Sequence, residues 1–435
     1  MYKKITAFPL LLAILFAILY PAVANSQEQA SCTVSIDRTN VPDLYFRNLT
    51  LLIQVNNASN ILVLQNAQPV PFTQMGDRLI ITTPADSLSV EFTPGSNVDN
   101  LCGVEKAPLL NNKRWVWSHG FDDNVNLLPA IEEFRAKSWP ATVFMIAKDY
   151  DQTREENNWI TDEPYVNQIL LPEGWAIGSH SWNHERFETS DPTSENYLID
   201  ILDGQTHIEA SVARSSVPGF QVMVFASPNF SSEYDEPFND AVKTTNLKLL
   251  EVGNDSLLIV TGDEPYAAGE NRSIPPLAGR IKIGRDSAIG HDPESAVDKI
   301  DWMAANASET HRFWYNTLAH GGSEDNIKAV LDHVWSNYGP GGTNEVWVAS
   351  STEVYSYILT RDHATISVEF SENIQETSSN TTPQVGDKPV KVSLPLITMM
   401  KNWMKLHKKS GKKTPIPSAL LRMSGRGLQQ LKTAD

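Results

Sequence analysis

The chain has 435 residues, enough for two or three domains, because single cores rarely grow past about 250–300 residues. With 52 acidic against 35 basic side chains it carries a formal charge of −17, which argues against a polyanion-binding surface and sets nucleic acid aside as a partner. Its apolar and aromatic content is that of an ordinary globular protein.

Met1, Tyr2, Lys3 and Lys4 precede an apolar run over 5–20 and then Pro21-Ala22-Val23-Ala24. Basic segment, apolar core and small-residue cleavage site come in the order of a secretory signal peptide over 1–24, which implies a secreted, periplasmic or extracellular protein. A retained membrane anchor is the competing reading, against which stands the need for about 20 apolar residues to span a bilayer. Only two cysteines occur, Cys32 and Cys102. In an exported protein a lone pair most simply forms one disulfide, here within a module over 25–108. That module reads as a small β-sandwich, since short alternating runs at 33–36, 49–55, 61–64, 78–82 and 88–92 are separated by turn residues.

From residue 109 to 365 strands and helices alternate. Strands are expected at 115–117, 141–147, 176–178, 222–225, 247–252, 257–260, 313–318 and 346–348. Helices are expected at 125–137, from the Asp191-Pro192 N-cap pair to about 212, at 323–335 and at 352–361. This alternation predicts an α/β fold, a distorted (β/α) barrel behind the all-β sandwich. Residues 366–435 read as a linker, Ser/Thr/Asn-rich to Pro389, followed by a basic tail with Lys401, Lys405, Lys408, Lys409, Lys412 and Lys413. The tail is either a solvated basic segment or a weak attachment to an anionic envelope surface.

Chemistry concentrates at three strand ends, where parallel α/β proteins place catalytic groups. Phe121-Asp122-Asp123 follows the first barrel strand, although an adjacent carboxylate pair there is also a common helix cap. His180-Ser181-Trp182-Asn183-His184 follows the third, with two histidines spaced to face one metal from one helical turn. Leu318-Ala319-His320 ends a late strand.

In this order the three pieces resemble the NodB-type polysaccharide deacetylases of carbohydrate esterase family 4, over about 114–361. The resemblance implies Asp122 as general base, Asp123, His180 and His184 as ligands of Zn2+ or a similar divalent ion, and His320 as general acid. It also implies an N-acetylated polysaccharide as substrate. Trp182 and Asn229 are the candidate substrate contacts, an aromatic face suiting the apolar side of a pyranose.

Two departures from the family pattern stand out. Gly120 and Asn124 occupy positions where the family has Thr and Gly, and Asn tolerates the left-handed backbone that such a position requires. The family's third motif carries an Arg that holds the base, but Ala226-Ser227-Pro228-Asn229-Phe230 has none. Another donor must orient Asp122, and Arg280 and Arg285 are the candidates. Asp298-Lys299-Ile300-Asp301-Trp302 matches a fourth family motif in letters, yet Val297, Ile300 and Met303 read as the buried stripe of a helix. Two rival functions follow from the departures: a carbohydrate-binding protein that has lost activity, or a cyclic amide hydrolase on a similar barrel.

Overall fold

A computed structural model describes residues 29–41, 48–95, 100–123, 126–149, 165–184, 194–215, 220–228, 240–252, 256–261 and 281–373. The chain divides into two units, Met1–Gln375 and Glu376–Asp435, and all described residues lie in the first. The signal-peptide reading, the Asp191-Pro192 cap, Asn124, Asn229, Arg280 and the basic tail fall outside the described residues. No helix among the described residues is long and apolar enough to cross a membrane.

The N-terminal strands are β1 (Gln29–Asp37), β2 (Leu49–Gln54), β3 (Ser59–Gln65), β4 (Gln68–Pro69), β5 (Thr73–Met75), β6 (Arg78–Thr83), β7 (Ser87–Thr93) and β8 (Val104–Lys106). Alternation of apolar and polar side chains decides which face each buries. In β1 the residues Ala30, Cys32, Val34 and Ile36 point inward, and β7 answers with Leu88, Val90 and Phe92. These strands form two antiparallel sheets, one ordered β5-β6-β2-β8. Cys32 and Cys102 are joined, closing a loop of 70 residues.

The second sheet corrects the expectation that a linker begins at residue 366. Its order is β18-β1-β7-β3-β4, where β18 (Thr365–Asn373) pairs antiparallel with β1 along its whole length. Ile366, Val368 and Phe370 alternate with polar residues as a strand should. The partner that makes them a strand lies 340 residues back, as the Ser31–Ser371 hydroxyl contact at 2.8 Å shows.

The barrel strands are β9 (Trp115–Phe121), β10 (Thr142–Met145), β11 (Ala176–Ser179), β12 (Val224–Ala226), β13 (Leu249–Glu251), β14 (Leu257–Thr261), β15 (Ile281–Ile283), β16 (Arg312–Ala319) and β17 (Val346–Val348). Their order is β14-β16-β9-β10-β11-β12-β13-β15, with β17 also on β9; all pair in parallel except β14 with β16. The ring closes where Asp286, three residues past β15, makes a parallel bridge to Thr317 of β16. The predicted distorted barrel is therefore present.

Helices α1 (Leu128–Ala136), α2 (Ser194–Ser215), α3 (Pro293–Asn306), α4 (Glu324–Asn337) and α5 (Ser351–His363) surround it. In α4, Ile327, Val330, Leu331 and Val334 form the buried stripe expected of an amphipathic helix. In α3, Ile300 and Met303 are buried, and Asp301 accepts hydrogen bonds from Tyr338 and His333, so this stretch is helix surface and core. Helix α5 ties barrel to sandwich: Tyr357 Oη donates to Ala107 O at 2.7 Å and Arg361 to Pro108 O at 2.9 Å. Val354, Tyr355 and Ile358 of the same helix join the barrel interior and the sandwich core into one apolar cluster.

Candidate active site

Period-two geometry builds the site. On β9, Val116, Ser118 and Gly120 face the barrel axis while Trp115, Trp117 and Phe121 lie under the helices, so Asp122, one residue past the strand, falls on the axis side. The same parity carries Gly178 to His180, Leu249 to Glu251, Ile283 to Arg285 and Trp314 to His320. Five polar side chains from five strands thus converge at the C-terminal end of the barrel, the end where parallel α/β proteins bind ligands.

Asp123, His180 and His184 present one donor atom each, all within 4.8 Å of one another. Asp123 Oδ1 lies 3.4 Å from His180 Nε2 and 3.8 Å from His184 Nε2, and Asp123 Oδ2 lies 3.5 Å from His320 Nε2. The ring of His180 is fixed by Nδ1, which donates to Ala226 O at 2.9 Å and leaves the Nε2 lone pair facing the cluster. Asp123 Oδ1 is buried without a hydrogen-bond partner. One carboxylate and two imidazoles with a free acceptor atom fit a divalent ion with an open position.

The histidines do not share a regular helical turn as expected. Ser181 takes a left-handed φ of 67° and the segment to His184 is irregular, which folds the two rings to a centroid distance of 5.0 Å. The left-handed residue at the first motif is Asp123 itself, with φ 75°. With this backbone the Asp123 carboxylate meets His180 Nε2, which Asp122 Oδ2 also approaches, at 3.7 Å.

Asp122 is 2 % exposed and holds the missing motif's partner: Arg285 Nη1 donates to its Oδ1 and Oδ2 at 2.7 and 2.8 Å. Burial alone would raise the Asp122 pKa, but the charges of Arg285, His180 and His320 outweigh it and hold the carboxyl below its usual range. Burial likewise opposes ionisation of Asp123, and His180, His320 and His184 reverse the balance. Arg285, fully buried, lies over the Phe144 ring at 5.4 Å, with Glu251 3.9 Å from its Nε. Burial raises the Glu251 pKa more than Arg285 lowers it.

Phe144 also explains Gly120. A Cβ at Gly120 would sit 2.7 Å from the Phe144 ring and one at Gly178 2.5 Å, so the aromatic ring that supports Arg285 requires glycine on both neighbouring strands. Sequence reading missed Glu251 and Phe144, and named Arg285 without placing it. The lack of an Arg after β12, on which the inactive-protein reading stood, is made good from β15.

Trp182 is half-buried and packs edge-on against His207 at 5.2 Å. His119 is fully buried, stacked on Phe134, with burial pushing its pKa down to about 3.

Residues 111–248 match the family model described as polysaccharide deacetylase. No curated protein matches the chain. Among solved structures, the chain is similar to peptidoglycan deacetylase PdaC from Bacillus subtilis at 15% identity and a TM-score of 0.32, covering 57% of this chain and 93% of that one. It is similar to a family 4 acetyl xylan esterase from Clostridium thermocellum, in complex with a cobalt ion, at 12% identity and a TM-score of 0.34, covering 55% and 90%. The Xyl-CE4 domain of a multidomain xylanase from the hindgut metagenome of Trinervitermes trinervoides follows at 12% identity and a TM-score of 0.33, covering 55% and 89%. Residues 111–248, which hold the carboxylate pair and the histidine pair, are thus similar to the polysaccharide deacetylase family, in a match that spans about a third of the chain.

Proposed function

We propose that the protein is a secreted, metal-dependent hydrolase that removes N-acetyl groups from an extracellular or cell-envelope polysaccharide. The observation that carries this reading is the convergence of Asp123, His180 and His184 beside an Asp122 locked by Arg285.

A divalent ion such as Zn2+, held by Asp123, His180 and His184, would supply Lewis-acid polarisation of the acetamide carbonyl and a more acidic water. Asp122, ionised and oriented by Arg285, takes a proton from the attacking water. The new bond joins the water oxygen to the carbonyl carbon, and the carbon–nitrogen bond breaks. His320, with 56% of its side chain exposed at the mouth of the site, gives a proton to the departing amine. Acetate and a free amino sugar leave, and no atoms other than those of water are consumed. Trp182 and Asn229 are proposed to contact the sugar from the rim, and secretion rests on the reading of 1–24 as a signal peptide.

Acetate release from an N-acetylated glucosamine oligomer, followed with and without a chelator, tests the reading. Release that stops on chelation and returns with added Zn2+ supports it. Release that chelator leaves unchanged, or none from any acetylated oligosaccharide by metal-loaded protein, overturns it.

A further inference from the structure

At the opposite end of the barrel a second cleft of about 690 Å3 lies between the β5-β6-β2-β8 sheet and the strand starts. Its floor includes Arg312, the first residue of β16; His320 follows the last residue of that strand, about 25 Å away along an extended chain. The cleft is therefore no part of the site already described. An adjoining cavity of about 770 Å3 shares Arg312, Glu309, Met75 and Ile80 with it.

Arg312 is only 3 % exposed, yet it forms no ion pair among the described residues. Its Nη2 donates to the neutral Asn112 Oδ1 at 3.2 Å, and its Nε has no hydrogen-bond partner. A buried guanidinium without an ion-pair contact is costly, since desolvation is offset only by good pairing. Nearby Arg114 adds repulsion, and Glu309 attracts it only from beyond ion-pair distance. Arg114 itself is held by Glu345 at 3.1 Å, and Lys113 by Asn344 Oδ1 at 2.7 Å. Three cations thus face two carboxylates, Glu309 and Glu345, in the cleft, a surplus of one positive charge that suits a single carboxylate better than a dianionic phosphate. Phe72 completes the wall with an apolar ring that suits a sugar face, while the hydroxyls of Thr82 and Thr343 donate to Asn111 Oδ1 and Asn337 O.

We propose that this junction cleft binds a carboxylate-bearing saccharide, with Arg312 receiving the carboxylate. The choice of a saccharide rests on the deacetylase reading, whereas the anion site rests on Arg312 alone. Such a site would hold an acidic stretch of polymer away from the catalytic end.

The test is calorimetric binding by the full chain of a linear hexasaccharide that contains uronates and no N-acetyl groups, together with its carboxyl-reduced form. Neither probe can be deacetylated, so the outcome is independent of turnover at the other end. The acid form should bind at least tenfold more tightly than the reduced form. Arg312→Gln should lose at least tenfold in affinity, and so should Met75→Glu, which adds a negative charge at an exposed mouth position without disturbing the core. Met75→Glu should release acetate from an acetylated oligomer at the wild-type rate, and it decides the matter if Arg312→Gln does not fold. Equal binding of the two probes, or unchanged binding by Met75→Glu, overturns the proposal. Tighter binding of inorganic phosphate than of the hexasaccharide overturns the saccharide assignment.

Discussion

Arg285 and Asp122 stand 163 positions apart in sequence and share one nitrogen between two carboxylate oxygens, with both side chains almost fully buried. Arg285→Met would leave a buried carboxylate uncompensated, so the variant should be about 3–5 kcal/mol less stable and at least about 100-fold slower in acetate release. Denaturant unfolding and initial rates measure the two effects. Asp122→Asn added to Arg285→Met should recover part of the stability and none of the rate. A double variant as unstable as Arg285→Met alone would mean that the Arg285 cost arises elsewhere, for example from Phe144 or Glu251.

Metal content separates the two neighbouring carboxylates. Purified protein should hold about one divalent ion per chain, and His180→Ala, His184→Ala and Asp123→Asn should each lower its affinity, as loss of a ligand does. Asp122→Asn should keep the ion and lose turnover, because an amide cannot accept the proton of water. Metal analysis after dialysis, followed by rates in excess Zn2+, checks this. Equal metal loss in the Asp122 and Asp123 variants would contradict the division of roles.

His320→Ala should retain metal and lose about 100-fold to 10,000-fold in rate on an acetamide. The deficit should shrink on an activated aryl acetate, whose leaving group needs no protonation. An equal deficit on both substrates would show that His320 positions the substrate.

Strand β18 should be part of the folding unit. A chain ending at residue 364 strips β1 of its partner along one edge while the other edge still pairs with β7, and it should unfold at lower denaturant and aggregate through the exposed edge. A chain ending at residue 375 should match the full chain in stability. Equal stability of the two truncations would remove β18 from the fold's requirements.

Glu353, in the first turn of α5, has its pKa raised to about 7 by burial. Between the unfolded value near 4.5 and this folded value the native state binds more protons than the unfolded chain, so stability should fall as pH rises through that window. With the side chain half-buried, the loss should be about 1–2 kcal/mol between pH 4.5 and 7.5. Glu353→Gln should flatten this part of the stability profile by that amount, as urea unfolding at several pH values would reveal.

Local signals in the sequence were enough to mark most of the strands and helices and the side chains that gather at the candidate site. Apolar periodicity marked the strands and helices because burial forces side chains onto one face, and the motifs placed Asp122, Asp123, His180, His184 and His320 at strand ends. Tertiary structure decided what depends on partners distant in sequence. Ile366, Val368 and Phe370 become a strand only because β1 offers an edge, and a strand without an edge to pair with looks like a polar linker. Arg285 reaches Asp122 only because Asp286 closes the ring on Thr317, and the closure of a barrel depends on register, which no local pattern records. The same holds for Gly120, whose lack of a side chain has its reason in the Phe144 ring on the next strand. The left-handed backbone at Asp123 and Ser181 was likewise beyond local reading, since the letters suggest a regular helical spacing that the folded chain does not adopt.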